Sequence, residues 1–349
     1  MLLDFSILDL RTRHAFSIAR LAAPASRRSL WVRLRDEEGR EGWGEAAANP
    51  YYGETAETVV AVLERLRPVV ERIEGEGVFE LERIEAEIAV TIGRNPAARA
   101  AISAALHDLV GKRLGVPVWR LLGLDPAAAP RSSFTIGIDE PEVMREKVRE
   151  AAGFPVLKIK VGTPRDEEVL RLIRDEAPEK VVRVDANTGW TTKQAIAALP
   201  MLADYGVELI EQPLPARDLD GLRLVRERSP VPIIADESCV TLADVPRMAG
   251  VVDGINIKLA KCGSLREALR MVHCARAHDL RVMLGCMVES TLGIAAALQL
   301  APLVDYVDLD GAALLADDPF RGPGLLPDGA LRFNGAPGLG VEAASGEIP

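Results

Sequence analysis

From residue 160 onward, charged side chains recur at a near-constant interval: Lys160, Asp185, Glu211, Asp236, Lys258 and Asp308, separated by steps of 25, 26, 25, 22 and 50. One strand-plus-helix unit occupies about the shorter step, so each group is carried at the end of its own strand and the last step skips one strand. Asp185, Glu211 and Asp236 then fall on three adjacent strands. Such a set of hard oxygen ligands suits Mg²⁺, with Mn²⁺ accepted by the same donors, because three close carboxylates without a cation would repel and raise one another's pKa. Lys158 and Lys160 are two residues apart and share one face of a strand, while Lys258 ends another strand across the ring. Two opposed lysines suit a 1,1-proton transfer. One removes a proton from the carbon beside a carboxylate, the metal stabilises the resulting enediolate, and the other returns a proton on the opposite face. Lys158 adds positive charge beside Lys160. The ordinary alternative for a lysine, a solvated head on a stem covering apolar surface, fits Lys261 but not Lys158 within the apolar run Val156–Val161.

The strands that must carry these groups are Ser133–Ile138, Val156–Lys160, Val181–Asp185, Glu208–Glu211, Ile233–Asp236, Gly254–Lys258, Arg281–Gly285 and Tyr306–Leu309, each but the last followed by a helix-like stretch. Alternating strands and helices predict a parallel sheet, and eight of them a closed (β/α)8 barrel with its chemistry at the C-terminal strand ends. Ahead of it, Asp4–Leu10, Ser29–Asp36 and Gly42–Glu45 read as a β-meander turning at Glu38–Gly39. A helix follows over Thr55–Ile73, and another runs from an Asn95 cap and Pro96 to Leu114, where Gly115 stops it. The chain therefore divides into an α+β capping domain (1–125), a barrel (126–318) and a Gly/Pro-rich tail (319–349) that returns to the cap.

The 349 residues, 48% hydrophobic and 27% charged, are those of a globular protein. A net charge of −10 with no dense Lys/Arg stretch argues against a nucleic-acid partner. The longest uncharged run, Ser290–Val304, contains Gln299 and Pro302 and is too short to span a bilayer. The first ten residues hold Asp4 and Asp9 and no basic region, unlike a secretory signal. Cys239, Cys262, Cys274 and Cys286 form no CxxC pair, and the four histidines have no zinc spacing, so a cytoplasmic location is expected.

The elements Leu157-Lys158-Ile159-Lys160, Val184-Asp185-Ala186-Asn187, Ile210-Glu211-Gln212-Pro213, Ala235-Asp236-Glu237-Ser238 and Asn256-Ile257-Lys258 resemble the enolase superfamily, specifically its muconate-lactonizing-enzyme subgroup. The cap segment Ala97–Gly123 and the tail Pro337-Gly338-Leu339-Gly340-Val341 share the resemblance, and Cys262-Gly263-Ser264 departs from it where two glycines are usual. It implies an enolase-like modified TIM barrel, Lys160 and Lys258 as acid/base pair assisted by Lys158, and a homo-oligomer. Asp185, Glu211 and Asp236 would bind Mg²⁺. Asn187 and Glu237 would support them.

Asp308 and Asp310 face one way on the last strand, so a substrate held by its carboxylate at the metal would meet two anions at its far end. That favours an ammonium group. The Asp-x-Asp pair resembles that of dipeptide epimerases, with Asp310 as a mere turn cap the alternative. Phe16-Ser17-Ile18-Ala19-Arg20 resembles the cap loop with which L-Ala-D/L-Glu epimerases offer an arginine to the substrate side chain, Arg27 and Arg28 being rivals to Arg20. Tyr51-Tyr52-Gly53-Glu54 is read as a second cap loop. The expected activity is epimerisation at the α-carbon of a dipeptide's C-terminal residue. The alternatives are an o-succinylbenzoate synthase or N-succinylamino acid racemase of the same subgroup, and an inactive binding protein.

Overall fold

The computed structural model describes residues 1–15, 17–19 and 26–345. Three antiparallel strands open the chain: β1 (Leu2–Arg11), β2 (Ser26–Arg35) and β3 (Glu41–Ala46). Alternation along them gives the sheet two apolar faces. Leu30, Val32 and Leu34 pack into the cap core with the helices, whereas Leu8, Leu10 and Trp31 join the core of the barrel. Three longer helices follow: α1 (Ala56–Glu71), α2 (Leu81–Thr91) and α3 (Pro96–Leu114). Helix α3 lies so close to β3 that a Cβ on Gly44 would stand 2.1 Å from the Ala101 carbonyl oxygen, which is why that position has no side chain. Helix α1 continues through Pro68.

The start of α3 departs from the expected cap. Asn95 adopts a left-handed conformation (φ 50°) and makes no capping bond. The Glu54 carboxylate, 43 positions earlier in sequence, instead accepts from the Ala97 N–H at 3.2 and 3.1 Å. A carboxylate at this helix end suits both the free N–H groups and the helix dipole.

The second sheet contains eight strands: β4 (Phe134–Ile136), β5 (Val156–Lys160), β6 (Val181–Asp185), β7 (Val207–Glu211), β8 (Ile233–Ala235), β9 (Gly254–Ile257), β10 (Arg281–Gly285) and β11 (Tyr306–Asp308). They pair in chain order, all parallel, and a bridge between Ser132 and Val307 brings the first stave against the last. The expected barrel is present. Strands β5, β6 and β10 have the expected ends, β4 is shorter, and Asp236, Lys258 and Leu309 stand just beyond the ends of their strands.

The tail touches both parts of the chain: Gly338 bridges Pro117, the Leu339 N–H donates to Asp108 at 2.7 Å and Phe320 meets Trp43 edge to face, while the Gly329 carbonyl oxygen accepts from the Ser132 N–H at 2.8 Å at the start of the barrel. Among the described residues, no helix is long and apolar enough to cross a membrane. All four cysteines are free thiols.

Candidate active site

Strand register sets the site. Lys160 pairs with Asp185 across β5 and β6, and Asp185 with Glu211 across β6 and β7, so the three groups end their strands at one level. Asp236 follows β8 directly, and Lys258 caps the single turn Leu259–Cys262 after β9. β5 and β9 lie four strands apart in a ring of eight, on opposite walls. A cavity of about 700 Å³ between barrel and cap is lined by Lys158, Lys160, Asn187, Asp236, Glu237, Lys258, Asp308 and Asp310. Asp185 and Glu211 are fully buried.

The charges are closely interleaved. Lys158 Nζ lies 3.1 Å from Asp185, 2.7 Å from Glu211 and 2.7 Å from Asp308. Lys160 donates to Asp185 at 2.6 Å, and Lys258 to Asp236 at 2.8 Å. Burial alone would raise the carboxyl of Asp185, but Lys160 and Lys158 outweigh it and hold the group ionised; Lys258 and Lys261 do the same for Asp236. Glu211 is pushed up to about 7, by burial and then by the charges of Asp185 and Asp236. Lys158 is held protonated well above the usual lysine range because Asp308, Glu211 and Asp185 overcome the effect of its burial.

The three expected metal ligands fit a hard dication in chemistry. Among the described residues, no three acidic, His or Cys side chains converge as a preformed metal site; Asp185 and Asp236 are ion-paired with Lys160 and Lys258. Glu211, however, carries a buried Oε2 that accepts no hydrogen bond, although Lys158 is 2.7 Å away, and its Oε1 accepts from Asn256 Nδ2 at 2.8 Å. Glu211 thus meets one ammonium while the charges of Asp185 and Asp236 push against its own, and three buried carboxylates crowded in this way are a donor set that a divalent cation relieves.

At the far wall, Asp308 accepts from Lys158 and from Ser133 Oγ, both at 2.7 Å, and Asp310 accepts from the Thr135 N–H at 2.6 Å. Asp310 stands at the N-cap position of the following turn, but its side chain makes no capping bond there. Its carboxyl is pushed up to about 6 by burial and the neighbouring Asp308. The cap supplies the opposite wall with Ile18, Arg27, Arg28, Tyr51 and Tyr52. Arg28 pairs with Glu57 of α1. Arg20 lies outside the described residues.

Residues 143–346 match the enolase C-terminal domain-like family, and residues 5–123 the mandelate racemase/muconate lactonizing enzyme N-terminal domain. The chain belongs to the enolase superfamily. Within it, the L-Ala-D/L-Glu epimerase of Bacteroides thetaiotaomicron is 40% identical over 343 residues, covering 98% of this chain and 88% of that protein. The dipeptide epimerase of Enterococcus faecalis V583, solved with Mg and the dipeptide L-Leu-L-Tyr, superimposes with a TM-score of 0.90 at 36% identity, covering 98% of this chain and 99% of that one. That of Methylococcus capsulatus, solved with Mg and L-Arg-D-Lys, gives 0.88 at 36%, covering 97% and 98%.

Several residues of this enolase-superfamily site were not legible as such in the sequence. Lys261, read there as a surface lysine, is buried and donates to Asp236. Asn256 is fully buried and holds Glu211; a polar residue two positions before Lys258, on the same face of β9, was the available signal. Gln212 spans two strand ends by accepting from the Asp236 and Ser238 N–H groups. Glu289 accepts from the Met287 N–H at 2.8 Å, and burial beside Glu45 pushes it up to about 8.

Proposed function

We propose that this chain is a dipeptide epimerase that inverts the α-carbon of the C-terminal residue by two-base proton transfer. The observation that carries the reading is the placement of Lys160 and Lys258 on opposite barrel walls, each against a carboxylate, with Asp308 and Asp310 at the end of a third wall. Asp185, Glu211 and Asp236 would hold a Mg²⁺, as the relatives' complexes with Mg suggest by similarity. When bound, the cation supplies positive charge to the substrate carboxylate as negative charge develops there. Lys160 and Lys258 take the α-proton from one face and return one to the other. Lys158, kept charged, orients and steadies the carboxylate end. Asp308 and Asp310 receive the substrate's free ammonium group.

The succinyl-substrate alternative is disfavoured because an acylated nitrogen brings no positive charge to those two acids. L-Ala-D/L-Glu and related dipeptides are the first substrates to try, given the name of the Bacteroides relative. The free thiols fit a reducing, cytoplasmic setting.

The test is α-deuterium incorporation in D₂O with Mg²⁺ across a dipeptide library, read by mass spectrometry. Exchange that stops in the Lys160→Ala, Lys258→Ala double variant supports the reading. No exchange with any dipeptide overturns it.

A further inference from the structure

Lys261 lies wholly inside the protein, off the cavity wall, with a side-chain exposure of 0%. Its ammonium reaches the carbonyl oxygen of Asp236 at 2.7 Å, Asp236 Oδ1 at 2.5 Å, the Asn256 carbonyl oxygen at 2.8 Å and the Cys239 carbonyl oxygen at 3.2 Å. These acceptors come from the end of β8, the loop after it and β9, so one cation ties two neighbouring staves together. The two oxygens of Asp236 are thereby divided. Oδ1 is held from behind by Lys261, and Oδ2 is presented to Lys258 at 2.8 Å. The backbone adds a second tie, because Lys261 lies on the single turn that Lys258 caps and its N–H donates to the Lys258 carbonyl oxygen at 2.9 Å. Gly263 closes that turn in a left-handed conformation (φ 90°). Lys160, on the opposite wall, is anchored instead by Asp185.

We propose that Lys261 is a positioning residue for one of the two proton-transfer groups: it fixes Asp236 and the turn bearing Lys258, and leaves Lys160 alone. The proposal rests on the two-base epimerase reading, and it makes a stereochemical claim. The two lysines serve opposite faces of the α-carbon, so each removes the proton from a different epimer. Loss of Lys261 slows removal by Lys258 more than removal by Lys160.

The readout is the ratio of initial α-proton washout rates from the two epimers of one dipeptide in D₂O at saturating Mg²⁺. Folded fraction and metal occupancy scale both rates together and cancel in the ratio. Lys258→Ala first identifies the epimer whose exchange depends on Lys258. Lys261→Met should lower washout from that same epimer by about tenfold more than from the other, the lower end of what loss of an outer hydrogen-bond partner typically costs. Lys261→Arg, which keeps the charge, should restore much of the ratio, and Lys261→Gln replaces the Met variant if the latter gives no soluble protein. Equal losses for both epimers, or a selective loss for the epimer that depends on Lys160, would overturn the proposal. A wild-type protein that exchanges neither epimer overturns the epimerase reading itself and the proposal with it.

Discussion

Asp308 divides its carboxylate between a hydroxyl and an ammonium, Ser133 Oγ and Lys158 Nζ, whereas Asp310 is held by the N–H and side chain of Thr135 and, among the described residues, has no ammonium against it. The two acids should therefore respond differently to removal of charge. Asp310→Asn deletes one charge from the proposed ammonium-binding wall and is expected to raise KM for free dipeptides by about 10- to 100-fold, the equivalent of a hydrogen bond to a charged group, with kcat changed much less. Asp308→Asn also weakens the hold on Lys158, so both KM and kcat should suffer. Steady-state kinetics of the two variants decide this, and equal effects on kcat would contradict the assignment. Asn256 gives a separate prediction. Its amide is the hydrogen-bond donor to Glu211 Oε1, and Asn256→Ala should weaken Mg²⁺ binding by about 10- to 100-fold, measurable by titration calorimetry without any turnover.

At the scale of elements, Glu54 shows how a helix start can depend on a distant residue. Its carboxyl is pushed up to about 7 by burial, against the lowering effect of the Ala97 and Ala98 N–H groups. A folded-state pKa above the unfolded value means that the native protein holds the extra proton between about pH 4.5 and 7, so stability falls as pH rises through that window. Glu54→Gln removes the titration and should flatten the decline of Tm between pH 5 and 7.5, though not abolish it, because Glu289 acts in the same direction. An unchanged slope would show that Glu54 does not titrate there.

The same helix marks what sequence could and could not reveal. The strands were legible because apolar runs end in charges at a fixed step, and this also exposed Lys160, Asp185, Glu211, Asp236 and Lys258. Asn95 followed by Pro96 carried a local capping signature, but the group that caps α3 lies 43 residues away, where no short-range rule reaches. Lys261 escaped for a related reason. A lysine's sequence neighbours do not show whether four acceptors converge on it in space. Asp308 and Asp310 were legible through the period of two along a strand, whereas the partners Ser133 and Thr135 come from the first stave and are reached only when the ring closes.

For the molecule as a whole, Glu45 is one buried polar tie in the joint between cap and barrel, beside the shared apolar core and the bond from the Leu265 N–H to Ser103 Oγ. From the end of β3 it accepts hydrogen bonds from Ser29 Oγ at 2.7 Å, from the Ser290 N–H and hydroxyl, and from the Gly293 N–H at 3.2 Å, at the start of the barrel helix Thr291–Leu298. Glu45→Ala would leave the buried Ser290 and Gly293 N–H donors unpaired, each costing about 1–3 kcal/mol, while Ser29 Oγ keeps the Ala46 carbonyl oxygen at 2.9 Å. Hydrogen exchange should then speed up at Ser290–Gly293 and along β3 before it does so in β5–β7, and uniform protection would contradict the role given to Glu45. The cavity has a corresponding division. Every lysine and carboxylate assigned to chemistry comes from residues 158–310, while among the described residues the cap lines the cavity with Ile18, residues 26–29 and residues within 47–57, beside Met287 and Val288 of the barrel. Inheritance can therefore act on the two separately. On the proposed reading, recombination or a handful of mutations within the first sixty residues would change the cap's share of the cavity while the proposed proton-transfer groups pass unaltered, and libraries meant to test selectivity start in that stretch of the gene.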